Sequence, residues 1–256
     1  ALLLSFCALS FSIYYYTQDN NSNRIIASKD KRFKNDVAPA QLGARLVRGE
    51  GVEIDVHNNI TFAADGSIQN EGNQLQGEKS PVAALNTLIV PAAHFFSMTL
   101  SDGTKVWINA NSELDFPSTF AAAERRVKLS GEAYFEVAPD KERPFYVETT
   151  NAQIRVLGTH FNVSAYTAKA VTSLVEGKVE VSSGTNVQLL LPGQMATVNA
   201  QGISLGKADI LKSCAWKNNE FYFRSDNIVR IAQELQSWYG LEVSFANLHG
   251  RNSSRC

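Results

Sequence analysis

The chain has 256 residues, enough for one large domain or two small ones, and a domain of about 150 residues buries roughly 70% of the surface its unfolded chain exposes. Lysine and arginine number 24 against 25 aspartates and glutamates, a formal charge of -1, so there is no overall basic field for nucleic acid and no acidic excess pointing to a disordered tail. Direct contact with DNA or RNA is not expected, and Cys7, Cys214 and Cys256, odd in number and far apart, form neither a disulfide framework nor a C-x-x-C motif.

The first element, ALLLSFCALSFSIYYY, is apolar apart from three serines and closes on tyrosines, which favour the membrane–water boundary. Its 16 residues fall short of the about 20 that span a bilayer. The basic n-region and small-x-small cleavage site of a signal peptide are missing. Residues 1–17 are therefore expected to be the end of a transmembrane helix that begins outside this sequence. Residues 18–41 are polar and rich in asparagine and charge, and read as a juxtamembrane linker. Arg24, Lys29, Lys31, Arg32 and Lys34 would hold such a flank in the cytoplasm. Asp19, Asp30 and Asp36 offset three of them, and the rule needs the opposite flank before it assigns an orientation.

Residues 42–212 change texture. Short apolar alternations recur, each closed by a glycine turn: ITFAADGSI, MTLSDGTKVWI, VKLSGEAYFEV and TSLVEGKVEV. Asp65-Gly66, Asp102-Gly103 and Glu176-Gly177 each separate two such runs, and acid-glycine pairs supply the positive φ angles of two-residue hairpins. Within the strands, Ala133, Phe135 and Val137 share one face, as do Val106 with Ile108, Ile154 with Val156, and Phe161 with Val163 and Ala165. The expected fold class is mainly β, a short-stranded, hairpin-rich domain stacked in a solenoid-like manner. ERRVK at 124–128 reads as solvated loop charge.

Residues 213–256 differ again. WKNNEFYFRSDNIVRIAQELQSWYGLEVSFAN reads as strand, helix, strand, a partial α+β (βαβ) module. Ser225 or Asp226 caps the helix, Ile228, Ile231, Ala232, Leu235 and Trp238 or Tyr239 form its apolar stripe, and Gly240 ends it. Aromatics crowd this stretch, and aromatics are enriched at protein interfaces. Phe221, Phe223, Ile228, Ile231, Leu235, Trp238 and Tyr239 are the candidate partner-binding residues.

Chemistry is harder to find. His57, His94, His160 and His249 have no second ligand nearby in sequence, so no metal site is expected. Ser204 sits in G-x-S-x-G (GISLG, 202–206) and Ser28 and Ser204 each sit in S-x-x-K, short patterns read as chance matches, and no glycine motif for nucleotides occurs, so no cofactor and no catalytic residue is assigned. Glu132 and Glu136, four apart on one strand face, lie about 13 Å apart, too far for a glycosidase pair. Two rivals to a protein-contact role are a membrane-tethered carbohydrate-binding β domain, stacking sugars on exposed Trp107 and Tyr134, and a hydrolase assembled from distant Ser, His and acid groups.

LSDGTKVWINANSELDFP, RRVKLSGEAYFEVAPDKERPFYVET, IRVLGTHFNVSAY, SLVEGKVEV and LLPGQMATV, in this order over roughly 88–198, resemble the FecR-type transmembrane sigma-factor regulators in the form common in Bacteroides-like bacteria. Residues 216–245 are similar to the start of the short N-terminal domain of secretins and TonB-dependent receptors. The resemblance implies a non-enzymatic, single-pass inner-membrane anti-sigma factor. Its cytoplasmic segment, absent from this sequence, would bind an extracytoplasmic-function (ECF) sigma factor. Its periplasmic β domain would take a signal from the N-terminal signalling domain of a TonB-dependent outer-membrane transporter. VPAAHFFSMTL departs from the pattern in lacking a glycine after Pro91, which places His94 in an atypical turn.

Overall fold

The computed structural model describes residues 37–49, 51–70, 73–74 and 84–245. The segment 1–17, most of the linker and residues 246–256 lie outside the described residues, and His249 with them. Among the described residues no helix is long and apolar enough to cross a membrane.

Among the described residues nineteen strands precede the helices. They are β1 (Gln41–Leu42), β2 (Ala44–Arg48), β3 (Val52–Val56), β4 (Ile60–Phe62), β5 (Ile68–Asn70), β6 (Asn73–Gln74) and β7 (Leu85–Val90), then β8 (His94–Thr99), β9 (Lys105–Ile108), β10 (Ser112–Pro117), β11 (Arg125–Glu136), β12 (Phe145–Glu148) and β13 (Gln153–Val156), then β14 (His160–Ala165), β15 (Ala170–Glu176), β16 (Val179–Ser183), β17 (Asn186–Leu190), β18 (Gln194–Asn199) and β19 (Gly202–Lys207). After them come α1 (Ile210–Cys214), a 3-10 turn (Ala215–Asn218) and α2 (Ile228–Tyr239).

Pairing arranges the strands in two layers. One runs β3-β2-β7-β10-β11-β12-β13-β16-β17. The other runs β6-β5-β4-β8-β9-β11-β14-β15-β18-β19, with β1 parallel to β8 ahead of β4. From β10 onward the chain lays a hairpin on one layer, crosses, and lays the next on the other, so both layers grow in one direction. That is the solenoid-like stacking the short runs predict. The ladders are antiparallel except β11–β12, β1–β8 and β4–β8.

Period-2 alternation points one face of every central strand inward. Leu46, Leu88, Leu114, Phe116, Val127, Phe145, Ile154 and Val181 of the first layer share a core with Phe96, Val106, Ile108, Phe135, Phe161 and Leu174 of the second. Strand β11 belongs to both layers, switching at Gly131, where φ is 102° and a β-carbon would fall 2.3 Å from Ser112 Oγ. VKLSGEAYFE is therefore part of one continuous strand and, with Val137 just beyond its end, contributes to the core.

Two of the three acid-glycine turns join hairpins, Asp65-Gly66 between β4 and β5 and Asp102-Gly103 between β8 and β9. Glu176-Gly177 does not: β16 pairs with β13 and β17, so this turn carries the chain from one layer to the other. An acid-glycine pair specifies a sharp reversal and leaves the destination of the next strand to the core. ERRVK is corrected more strongly. Arg125 is fully buried; its Nη1 donates to Asp102 Oδ2 and to the Ala138 carbonyl, both at 2.8 Å, and its Nε donates to the Arg143 carbonyl at 2.8 Å. Glu124, Arg126 and Lys128 stay at the surface, with Arg126 bonded to Glu124 and Glu148.

Asp102 also accepts from the Thr104 backbone N–H and hydroxyl, and the Thr104 hydroxyl accepts from the Ala138 N–H. Removing one member of a buried ion pair leaves the other charge uncompensated. Asp102→Ala is expected to lower unfolding stability by about 3 kcal/mol, read from urea unfolding midpoints; a loss near that of a surface substitution would remove this pair from its bracing role.

Candidate interaction surface

Beyond β19 the chain leaves the ladders and lies over the outer face of the second layer. Asp209 caps α1 by accepting from the Lys212 N–H at 3.2 Å, and Ser213 Oγ donates to Ser173 Oγ on β15. The 3-10 turn then ends at Asn219 in the left-handed region, and Lys217 crosses the outer face. Its ammonium sits 4.6 Å from the Trp107 ring centre and 4.2 Å from that of Tyr134, with Glu136 Oε1 at 3.3 Å. This occupancy corrects the carbohydrate reading. Lys217 covers the faces a sugar would stack on, and Tyr134 is only 5% exposed, its phenol pushed by burial to about 12. An open recess of about 550 Å³ elsewhere, bounded by Glu148, Asn151, Gln153 and Ser182, has no aromatic wall to replace that platform.

Helix α2 begins at Asn227, whose side chain accepts from the Arg230 N–H at 2.9 Å, so neither Ser225 nor Asp226 caps it. Ser225 is left-handed, and Asp226 instead bonds Lys212 and lies 3.3 Å from Arg230 Nε. Gly240 ends the helix at φ 63°, as expected. The flanking strands do not form: among the described residues neither 220–223 nor 241–245 enters a ladder, because no neighbouring strand lies alongside to take their backbone hydrogen bonds.

The helix is fastened to the β body at its C-terminal turn. Trp238 is buried and stacks on Phe95 of β8, with ring centres 5.9 Å apart and planes 6° apart. The Ala93 N–H donates to the Ser237 carbonyl at 2.9 Å, and Asn111 Nδ2 donates to Ser237 Oγ at 3.2 Å. Ala93 occupies the region after Pro91 where the resemblance leads one to expect glycine, and its φ is 59°. Its partner in the chain, Gly240, has room for little else: a β-carbon there would lie 3.2 Å from the Ala93 Cβ.

Under the helix lies a buried acid. The Glu132 carboxylate accepts from Asn109 Nδ2 and Asn162 Nδ2, each at 2.9 Å. Burial lifts this carboxyl above the usual range against the two amide donors, and Glu234 of α2 lifts it further while Arg230 opposes. Glu234 is itself lifted, again first by burial.

Of the candidate partner residues, Trp238 is thus an anchor and not a contact. Ile231, Leu235 and Tyr239 are half-buried, whereas Phe221, Phe223 and Ile228 are exposed, Ile228 by 65%. Phe221 stacks with Phe223 at 5.7 Å and meets the Trp238 edge at 5.7 Å and Tyr239 at 6.1 Å, so these rings form one cluster. Phe245, one of the crowded aromatics, is exposed too, and Val229, Leu241 and Val243, also exposed, were missed by sequence reasoning. The alternation of Leu241, Val243 and Phe245 was the available signal, and it reads as a strand until the missing partner strand is seen.

Among the described residues the histidines do not converge on a nucleophile. His57 and His94 both lie against Gly43, where His94 Nδ1 meets the Ala92 carbonyl at 2.9 Å, and His160 pairs with Glu176 at 3.2 Å. Cys214 is held protonated, burial raising its thiol to about 11. Among the described residues no three metal-ligating side chains gather.

A strand-rich body carrying an aromatic-anchored helix and an exposed apolar cluster has the make-up of a protein-interaction domain, with no catalytic group assembled among the described residues. The FecR protein family profile matches residues 87–180. Two crystal structures, at 1.65 Å and 2.50 Å resolution, of a candidate anti-sigma factor from Parabacteroides distasonis ATCC 8503 are each 35% identical to the chain, with TM-scores of 0.57 and 0.58. They cover 61% and 62% of this chain, which in turn spans 76% of each of them. No curated protein matches the sequence. The chain belongs to the FecR-type anti-sigma factors.

Two outcomes follow from the helix seat. Trp238→Ala is expected to cost about 3 kcal/mol and to expose the α2 segment to protease while the β body persists; unchanged protection would mean the stack does not hold the helix. A carboxyl raised in the folded state keeps its proton where the unfolded chain has lost it. Its stabilisation is full below the ordinary glutamate value and is lost as pH rises through the folded one. Glu132→Gln should therefore gain stability relative to the native chain as pH rises above the ordinary glutamate range, and a pH-independent difference in urea midpoints would refute it.

Proposed function

We propose that the chain is a single-pass inner-membrane anti-sigma factor whose β domain lies in the periplasm. In this reading residues 1–17 end the membrane helix, 18–41 link it to the β domain of 42–212, and 213–256 form the signalling surface. The N-terminal signalling domain of a liganded TonB-dependent transporter contacts that surface, and the change is passed to an ECF sigma factor bound by a cytoplasmic segment. The protein acts by contact and not by catalysis.

One observation carries the reading. Phe221, Phe223, Ile228 and Val229 stay exposed although a seat for α2 is available beside them and Trp238 fills it. Exposed aromatics and branched aliphatics on a segment anchored by a buried tryptophan are the composition of a binding hot spot. Family membership supports the regulatory role.

Calorimetric titration of the chain with the N-terminal periplasmic domain of each TonB-dependent transporter encoded beside its gene tests the proposal. A saturable one-to-one complex is expected, weakened at least about tenfold by Phe223→Ser with Ile228→Asp. Silence from every transporter, or affinity untouched in a folded double variant, would overturn it.

A further inference from the structure

The stacked strands give the β body two ends, and the ends differ. At the first end of one layer the outermost strand, β3, carries Glu53 and Asp55, which face Arg45 of β2 at 3.4 Å and 3.8 Å. Charges along an outermost strand block its pairing with another sheet. At the far end of the same layer the outermost strand is β17, NVQLL, which has no charged residue and no proline. It pairs only with β16, so its other row of backbone N–H and C=O groups has no ladder among the described residues. Val187 and Leu189 are 52% and 55% exposed, and Leu191 just beyond the strand is 50% exposed. They lie beside Ser182 and Glu180 on the solvent face of the layer, opposite the face that buries Val179 and Val181.

The order of residues in β17 indicates what covers it. Two copies of the strand placed antiparallel about Gln188 set Val187 of each against Leu189 of the other, on one face. Apolar residue meets apolar residue at both positions, as a two-fold interface requires. Such pairing uses the same edge on both molecules and leaves no further β17 edge open, so it ends at two copies. We propose that β17 is a self-pairing edge along which two copies of this chain join antiparallel, centred on Gln188. The proposal is independent of the transporter contact, which involves the C-terminal segment.

Sedimentation of the 28.1 kDa chain, in detergent and under reduction, tests it. The native chain is expected to pass from one copy to two as its concentration rises toward about 1 mM. Val187→Lys with Leu189→Lys sets like charges opposite each other and should weaken association at least about tenfold. Val187→Lys with Leu189→Glu sets lysine opposite glutamate in the same register and should restore it. All these changes fall at exposed positions, and circular dichroism checks that each variant keeps its strands. A native chain that stays single throughout, a double-lysine variant that still pairs, or a lysine–glutamate variant that does not recover would each overturn the proposal; the first would leave the edge to an extended segment of another protein.

Discussion

The ion pair between Arg125 and Asp102 is the constraint around which the β body is organised. Arg125 opens the strand that both layers share, and Asp102 sits in the turn between β8 and β9 of the second layer. Three hydrogen bonds from one guanidinium fix the start of β11, the β8–β9 turn and the 138–143 loop against each other. A buried charge costs least when it is paired and its donors are met; Nε and Nη1 of Arg125 are met here, whereas Nη2 has no partner among the described residues. With the start of β11 held there and its bend set by Gly131 against Ser112, the crossing from one layer to the other is defined, and the later hairpins repeat it.

The C-terminal segment depends on that platform. Strands β8, β9 and β11 offer Phe95, Trp107, Tyr134 and Glu132 on the face turned away from the core. The segment answers with Trp238, Lys217 and the Arg230–Glu234 pair. Aromatic stacking supplies contact area and the lysine satisfies both rings and Glu136, while the buried Glu132 under α2 opposes the seat as its charge forms.

Much of the fold was legible. Alternation located the core faces of β9, β11, β13 and β14, the glycine turns located two hairpins, and Gly240 marked the end of α2. The site was legible only in part. Phe221, Phe223 and Ile228, singled out by their crowding, are exposed, whereas Trp238 was counted with them and is buried, because a stripe of apolar residues does not say which members a neighbour will cover. Arg125 looked like solvated charge because its acid partner stands 23 positions away in the chain.

Sequence alone determined the class of this protein: period-2 alternation, turn glycines and the family blocks are local or ordered along the chain, and local sterics read them directly. The tertiary structure alone decided where Glu176-Gly177 sends the chain, that Lys217 closes the Trp107–Tyr134 face, and that the segments beside α2 remain outside any ladder. Each of these depends on residues distant in sequence meeting in space. Burial and pairing are properties of that meeting, and no periodicity in one segment contains them.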